Sequence, residues 1–292
     1  MLSRTQQLDK TALIALQSLL MACQATDGHA IPAYPHLLAQ HRQGPPSLLY
    51  YDHDVLVGFL AAFHFQPEIC EVSLLVAPTY RKQGIATLLW HTMLPSIHTI
   101  RPSIKHLMIS TPHDFNLSLF ERHAFNFQHG EYNMEYLSHT PPRLAHSHPA
   151  LTIRPAEHAH INNLCIIDKA CFDPNRQHAE LRFKRAIDNP NTHIFIAEHA
   201  EQIIGQVQLN FEENQVRLTD LAVLPVWQGQ GFGQAIVAHC INHMFQNNHN
   251  HMTLVVAAQN QHALRLYQNL GFKIYNAVDY FKHNLTDFKR DL

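Results

Sequence analysis

The chain has 292 residues, 46 % hydrophobic and 15 % charged, with a formal net charge of −2 at pH 7. Single cores stop growing near ~250–300 residues, so this length suits two domains, and the composition excludes a disordered chain or a coiled coil. The near-neutral balance, with no run of Lys and Arg, argues against a nucleic-acid partner.

In chain order, Thr11–Ala25 is the first long apolar stretch. Asp9 precedes it and Gln17 and Ser18 interrupt it, which predicts an amphipathic helix, not a signal-peptide core. No stretch reaches the ~20 apolar residues that span a membrane, and no membrane partner is expected. Strand-like runs begin at Ser47, and no opening strand is legible before them. Leu137–Ala150 holds Pro141, Pro142 and Pro149 among Ser, His and Thr, a composition that resists regular structure. The reading is therefore a first domain at 1–137, a linker at 138–150 and a second domain at 151–292.

In the second half, Leu151–Arg154 reads as a strand and Glu157 to about Ile187 as helical. Thr192–Glu198 and Gln202–Phe211 read as strands around a turn at His199–Glu201, and Gln215–Val223 as a strand ending at Pro225. Gly231–Gln246 has helical spacing, with Ile236, Val237, Cys240, Ile241 and Met244 on one side. Met252–Ala257 is a buried-type strand, Gln261–Asn269 a helix closed by Gly271, and Phe272–Leu285 supplies the last strands. Strands that open as hairpins and then alternate with helices give an α/β or α+β sheet with helices on its faces.

The two halves repeat. Val76-Ala77-Pro78-Thr79-Tyr80-Arg81-Lys82-Gln83-Gly84-Ile85-Ala86 recurs 147 residues on as Val223-Leu224-Pro225-Val226-Trp227-Gln228-Gly229-Gln230-Gly231-Phe232-Gly233. The same offset relates Gly58 to Gly205, Leu119-Phe120 to Leu266-Tyr267, and Ala124-Phe125 to Gly271-Phe272. One offset held across four elements marks a duplicated domain.

Five cysteines, odd in number and without a C-x-x-C, suit reduced thiols and a cytoplasmic protein. The 25 histidines read as a composition bias shared with Asn and Gln. His239, Cys240 and His243 are the best ligand-like set, but no carboxylate accompanies them and no metal is expected.

The repeated loop points to a ligand. Its glycines let backbone approach closely, and the unpaired N–H groups at the positive end of the following helix form a pyrophosphate site. A Rossmann fingerprint needs Gly-x-Gly-x-x-Gly and a Walker loop needs Gly-Lys-Ser/Thr; neither is present.

Leu221-Ala222-Val223-x-Pro225, then Gln228-x-x-Gly231-x-Gly233, then Asn260-x-x-Ala263-x-x-Leu266-Tyr267-x-x-x-Gly271-Phe272 resembles the GNAT superfamily of acetyl-CoA-dependent N-acetyltransferases, over essentially all of 151–292. The resemblance implies two tandem domains, each a mixed, mainly antiparallel twisted sheet flanked by helices. It implies that the pantetheine arm of acetyl-CoA pairs with backbone at Leu221 and Val223. The pyrophosphate would sit on the amides of Gln228, Gly229, Gln230, Gly231, Phe232 and Gly233, with Asn260 and Tyr267 as the family's asparagine and tyrosine. An amine would attack the thioester directly, the Val223 N–H would stabilise the oxyanion, and Tyr267 would protonate the leaving thiolate as general acid. Asp220 is the nearest carboxylate for a base; a water chain or a histidine is the alternative.

In the first copy, Val76 and Arg81-x-x-Gly84-x-Ala86 keep a cradle for a CoA-like ligand. Phe120 replaces the tyrosine, His113 the asparagine, Asn116 the small alanine and Ala124 the glycine. A phenyl ring cannot donate a proton, so this copy is expected to be non-catalytic, either binding a CoA-like ligand or serving as a silent domain that packs against and shapes the second. The expected acceptor is a small-molecule or peptide primary amine, shaped by Cys171–Ile187 and Asn276–His283, including Phe172, Asp173, Arg176, Glu180, Asp279, Tyr280 and Lys282. The competing readings are a CoA-binding regulatory protein without turnover, an acyltransferase using a longer acyl-CoA, and an aminoacyl-tRNA-dependent relative, against which the charge counts. Oligomeric state is not legible.

Overall fold

The computed structural model describes residues 1–100, 103–115, 117–139, 151–172 and 178–285, and the chain forms two compact units. The first comprises Met1–Glu131 and Asn276–Leu292, the second Tyr132–Tyr275. Linker residues 140–150, together with Asn116, Asp173 and Arg176, lie outside the described residues.

The first unit runs β1 (Leu2–Thr5), α1 (Lys10–Asp27), α2 (Pro35–Leu38), β2 (Ser47–Asp52), β3 (Val55–Phe63), β4 (Ile69–Val76), α3 (Ile85–Ile100), β5 (His106–Pro112), α4 (Leu117–Arg122) and the start of β6 (Asn126–Leu137). The second runs β7 (Thr152–Pro155), α5 (Ile161–Cys171), α6 (Ala179–Ile187), β8 (Thr192–His199), β9 (Gln202–Phe211), β10 (Val216–Val223), α7 (Phe232–Gln246), β11 (His251–Ala257), α8 (Gln261–Asn269) and the start of β12 (Lys273–Asn284).

Within the first unit the strand order is β1-β2-β3-β4-β5-β12; neighbours are antiparallel except β4 and β5, which are parallel. Within the second it is β7-β8-β9-β10-β11-β6, with β10 and β11 parallel and β7 to β10 antiparallel. Each sheet is covered on both faces. Leu16, Leu19 and Cys23 of α1 pack on Phe59 and Leu75, while Leu89 and Met93 of α3 pack opposite, on Val57 and Val72. In the second unit Ile236, Cys240 and Ile241 of α7 lie against Val207 and Leu254, and Leu164 and Phe183 of α5 and α6 against Ile194 and Ile196.

Three sequence expectations are corrected. The first half does have an opening strand: Leu2 faces Tyr50 and Thr5 faces Ser47. Its four residues, three of them polar, give too short an alternation to register as a strand. Phe272–Leu285 is one long strand, not several. The part of that strand expected to shape the second copy's acceptor side, Asn276–His283, lies in the first unit, where Val278 to Asn284 pair with Pro112 to His106. Reciprocally, Tyr132–Leu137 of β6 lies in the second. Either pairing satisfies the same apolar alternation, so the sequence does not distinguish them.

Candidate functional site

β10 is bent where the chemistry is expected. Thr219 pairs with Gln208 and Ala222 with Gln206, so Asp220 and Leu221 together stand opposite Val207. This is a β-bulge, which re-aims backbone and side chains. Asp220 adopts φ 51, in the left-handed region that short polar side chains tolerate. Parallel pairing with β11 covers Val216 and Arg217, ahead of the bulge.

A turn at Pro225–Trp227 leads to Gln228, and α7 starts at Phe232. Gly229 and Gly231 take φ 75 and 88, and a Cβ added at either would meet nothing within 4 Å. The loop therefore presents bare backbone at a helix N-terminus, the arrangement that accepts a phosphate. The Phe232 ring is buried against Trp227 and His199, so its contribution to the loop is its backbone N–H. The loop is pinned to the strand end: the Val223 carbonyl accepts from Gln228 Nε2 at 2.8 Å and from Cys171 Sγ at 3.4 Å.

The first unit repeats this construction bond for bond. The Val76 carbonyl accepts from Arg81 Nε at 3.1 Å and from Cys23 Sγ at 3.5 Å. Lys82 and Gly84 take φ 62 and 81, and Gln83 reaches the Thr79 carbonyl as Gln230 reaches that of Val226. Arg81 also makes two 2.6 Å bonds to Asp27, so its charge is already paired. Sequence reasoning missed Cys23, Cys171 and Asp27. The cysteines were detectable, since they lie 148 residues apart, one off the repeat offset.

The units differ at the chemistry. β4 pairs with β3 without a break from Glu71 to Val76, so the first unit lacks the bulge. Asn260 caps α8 by accepting from the Ala263 N–H at 3.1 Å, and Tyr267, 6 % exposed, packs edge-on against Phe272. Burial, then the neighbouring Cys240, push the Tyr267 hydroxyl pKa up, so it stays protonated at neutral pH. At the matching positions of the first unit, His113 bonds Asp279 at 3.0 Å, and Phe120 stacks on Phe281. A cavity of about 510 Å³ opens in the first unit, lined by Arg81, Gly84 and Ala86 at one end and by Ile31, Ser110 and Thr111 elsewhere.

On the α5–α6 face of the second unit, Gln208, Asn210, Thr192 and Thr219 are linked by hydrogen bonds. Gln206 continues this row opposite Ala222; it is 1 % exposed, and neither its amide N nor its O has a partner among the described residues. The sequence did not single out this residue. The suspected ligand set separates: Cys240 is fully buried in the core, while His243 bonds His193 at 2.8 Å and stacks with His239. None of the five cysteines is joined in a disulfide. Among the described residues no helix is long and apolar enough to cross a membrane.

Known proteins give the same picture. The pattern of the acetyltransferase (GNAT) family matches residues 13–125 and 161–272, most of the chain. The fold is similar to a GCN5-related N-acetyltransferase from Sphaerobacter thermophilus, at 16 % identity and TM-score 0.80, covering 97 % of this chain and 96 % of that one. It is also similar to a tandem GNAT protein from the clavulanic acid biosynthesis pathway, at 12 % identity and TM-score 0.68, covering 98 % of each. An acetyltransferase from the GNAT family of Colwellia psychrerythraea follows at 13 % identity and TM-score 0.58, covering 97 % of this chain and 99 % of that one. No curated protein matches the sequence. Identities this low establish the fold alone, and the family rests on the sequence pattern, which occurs once in each half: the chain belongs to the GNAT family of acetyltransferases, as a tandem of two copies.

Proposed function

We propose that the protein transfers an acetyl group from acetyl-CoA to a primary amine by direct attack in a ternary complex, with the active site in the second unit. The observation that carries this reading is the coexistence, in that unit alone, of the bulge at Asp220 and Leu221 and a protonated tyrosine at 267.

The residues present fit the coenzyme. Gly229 and Gly231 hold the positive φ of the loop and leave open space beside its backbone, and the amides from Gln228 to Gly233 provide donors for a pyrophosphate. Acetyl-CoA, when bound, supplies the activated acyl group. Leu221 and Val223 hold its pantetheine arm through backbone. The Val223 N–H takes the charge developing on the carbonyl oxygen, Tyr267 gives its proton to the departing sulfur, and Asp220 receives the proton of the incoming amine. Asn260 serves this arrangement by fixing the first turn of α8, the helix that bears Tyr267. On the acceptor side, the Gln206 amide and the row running to Asn210 support a polar substrate. Cysteines outside any disulfide suit a reducing compartment, and we place the activity in the cytoplasm.

The first-unit cavity favours a second, non-catalytic site for a CoA-like ligand at Val76, Arg81, Gly84 and Ala86. Calorimetric titration with acetyl-CoA tests this: two sites per chain are expected, with Gly84→Val removing one and sparing turnover. A single site abolished by Gly231→Val would leave the first unit without the role. Thiol release across an amine panel tests the reaction itself; tight acetyl-CoA binding with no amine-stimulated release would favour a regulatory protein.

A further inference from the structure

The α1-facing side of the first unit holds buried and half-buried polar groups that the reading above does not use. Glu71 of β4 lies opposite Phe63 of β3, and its Oε1 accepts from the Tyr34 hydroxyl at 2.5 Å. The Tyr34 ring packs edge-on against Phe63 at 4.8 Å and Phe65 at 5.0 Å. Tyr280 of β12 lies opposite Ser110 of β5 and hydrogen-bonds Glu131, while His129 stacks on the Tyr280 ring at 4.7 Å. Burial, then the charge of Glu131, push the Glu71 carboxyl up, against the Tyr34 bond and His129, which lower it; no Lys or Arg acts on it.

A second observation is independent of the carboxylates. Ser110 is 3 % exposed, its hydroxyl has no partner among the described residues, and it lines the 510 Å³ cavity. Pairing of β4 with β5 ends at Val72 and Ile109, so Ser73 and Ser110 flank the gap where the strands part. Residues opposite one another in a ladder share a face, which puts Ser110 on the side of Tyr280.

We propose that this face of the first unit binds a small primary amine as its ammonium ion, with Glu71 and Glu131 as counter-charges, the Ser110 hydroxyl as acceptor, and Tyr34, Phe63 and Phe65 around the carbon chain. The charge of Glu131, which His129 meets at 3.4 Å, repels the desolvated Glu71 carboxylate, and a cation on this face relieves that repulsion. An ammonium brings three donors, and aromatic faces attract it. A metal ion is less suited to this rim of rings, and the His/Asp group with metal-like spacing in the described residues is elsewhere, at His113, Asp114 and Asp279. The site stands whether or not the second unit is catalytic.

The test uses the full chain without acetyl-CoA. Phenethylamine, butylamine and putrescine are titrated calorimetrically, each beside the alcohol of the same skeleton (2-phenylethanol, 1-butanol and 1,4-butanediol). At least one amine is expected to bind while its alcohol does not. Glu71→Gln should weaken that binding about tenfold or more, which is about 1.4 kcal/mol. Ser110→Ala, a change the fold should tolerate, should weaken it less, and Tyr267→Phe should leave it unchanged. The proposal is overturned if no amine is distinguished from its alcohol, or if folded Glu71→Gln and Ser110→Ala both bind as the wild type does. Loss of binding in Tyr267→Phe would also overturn it, by placing the amine in the second unit. Amine binding without turnover would instead count against the acetyl-transfer reading alone.

Discussion

The Gln228 side chain donates to the carbonyl of Val223 at 2.8 Å, tying the glycine loop to the end of the bulged strand. Arg81 makes the same tie to Val76 in the first unit, with a side chain of different chemistry. What the loop needs at this position is therefore a long donor, and a charge is dispensable.

Gln228→Ala should cost the loop one hydrogen bond, about 1 kcal/mol, and weaken acetyl-CoA about fivefold. Gln228→Arg should restore most of the affinity, because Arg81 already shows that geometry. Calorimetry on both variants checks this, and equal affinity in wild type and Gln228→Ala would show that the tie is idle.

Gly205 lies where the strand beyond the bulge comes closest. A Cβ there would meet the Ala222 carbonyl oxygen at 2.8 Å and Ile236 Cδ1 at 3.2 Å. Backbone cannot yield as a side-chain tip does, so Gly205→Ala should destabilise by about 1–3 kcal/mol. Both Tm and turnover should fall, since the displaced strand bears Val223. Thermal melts read against thiol release would show it, and an unchanged Tm would contradict the close approach.

Gln206 should set stability against activity. Replacing a buried amide that has no partner among the described residues with an apolar group of similar size relieves its desolvation, so Gln206→Leu should raise the Tm. The same change removes a polar group from the acceptor side and should lower kcat/KM. A lower Tm would mean that the amide is satisfied in solution.

Acid should act through His243. Burial, then the charges of His193 and His239, lower its pKa from 6.5 to about 4. The folded state thus holds it neutral where the unfolded chain binds a proton, so its stabilising effect is complete above pH 6.5 and is lost as pH falls towards 4. His239 is lowered in the same direction by burial. Melting curves between pH 7 and pH 4 should fall less steeply for His243→Gln than for wild type; parallel slopes would exclude the effect.

Much of this was legible in the sequence, because an offset of 147 residues and a Gly-x-Gly before a helix are local signals. Tyr267 and Asn260 followed from the resemblance to the GNAT family, and the structure places both on α8 or its cap. The bulge was not legible: whether Asp220 and Leu221 share one partner depends on the register against β9, and no turn residue marks it. Nor was the exchange of strand ends, since β12 shows the same apolar pattern whichever sheet it joins. Gln206 escaped because a glutamine in a strand is ordinary until it is seen to be buried with no partner for its amide among the described residues.

The most direct measurement is thiol release from acetyl-CoA with a panel of primary amines, comparing wild type with Tyr267→Phe at matched folding. Amine-dependent release by the wild type, reduced ~10²–10⁴-fold in the variant, is the predicted result. Wild-type turnover in Tyr267→Phe on the true acceptor would contradict an active site in the second unit.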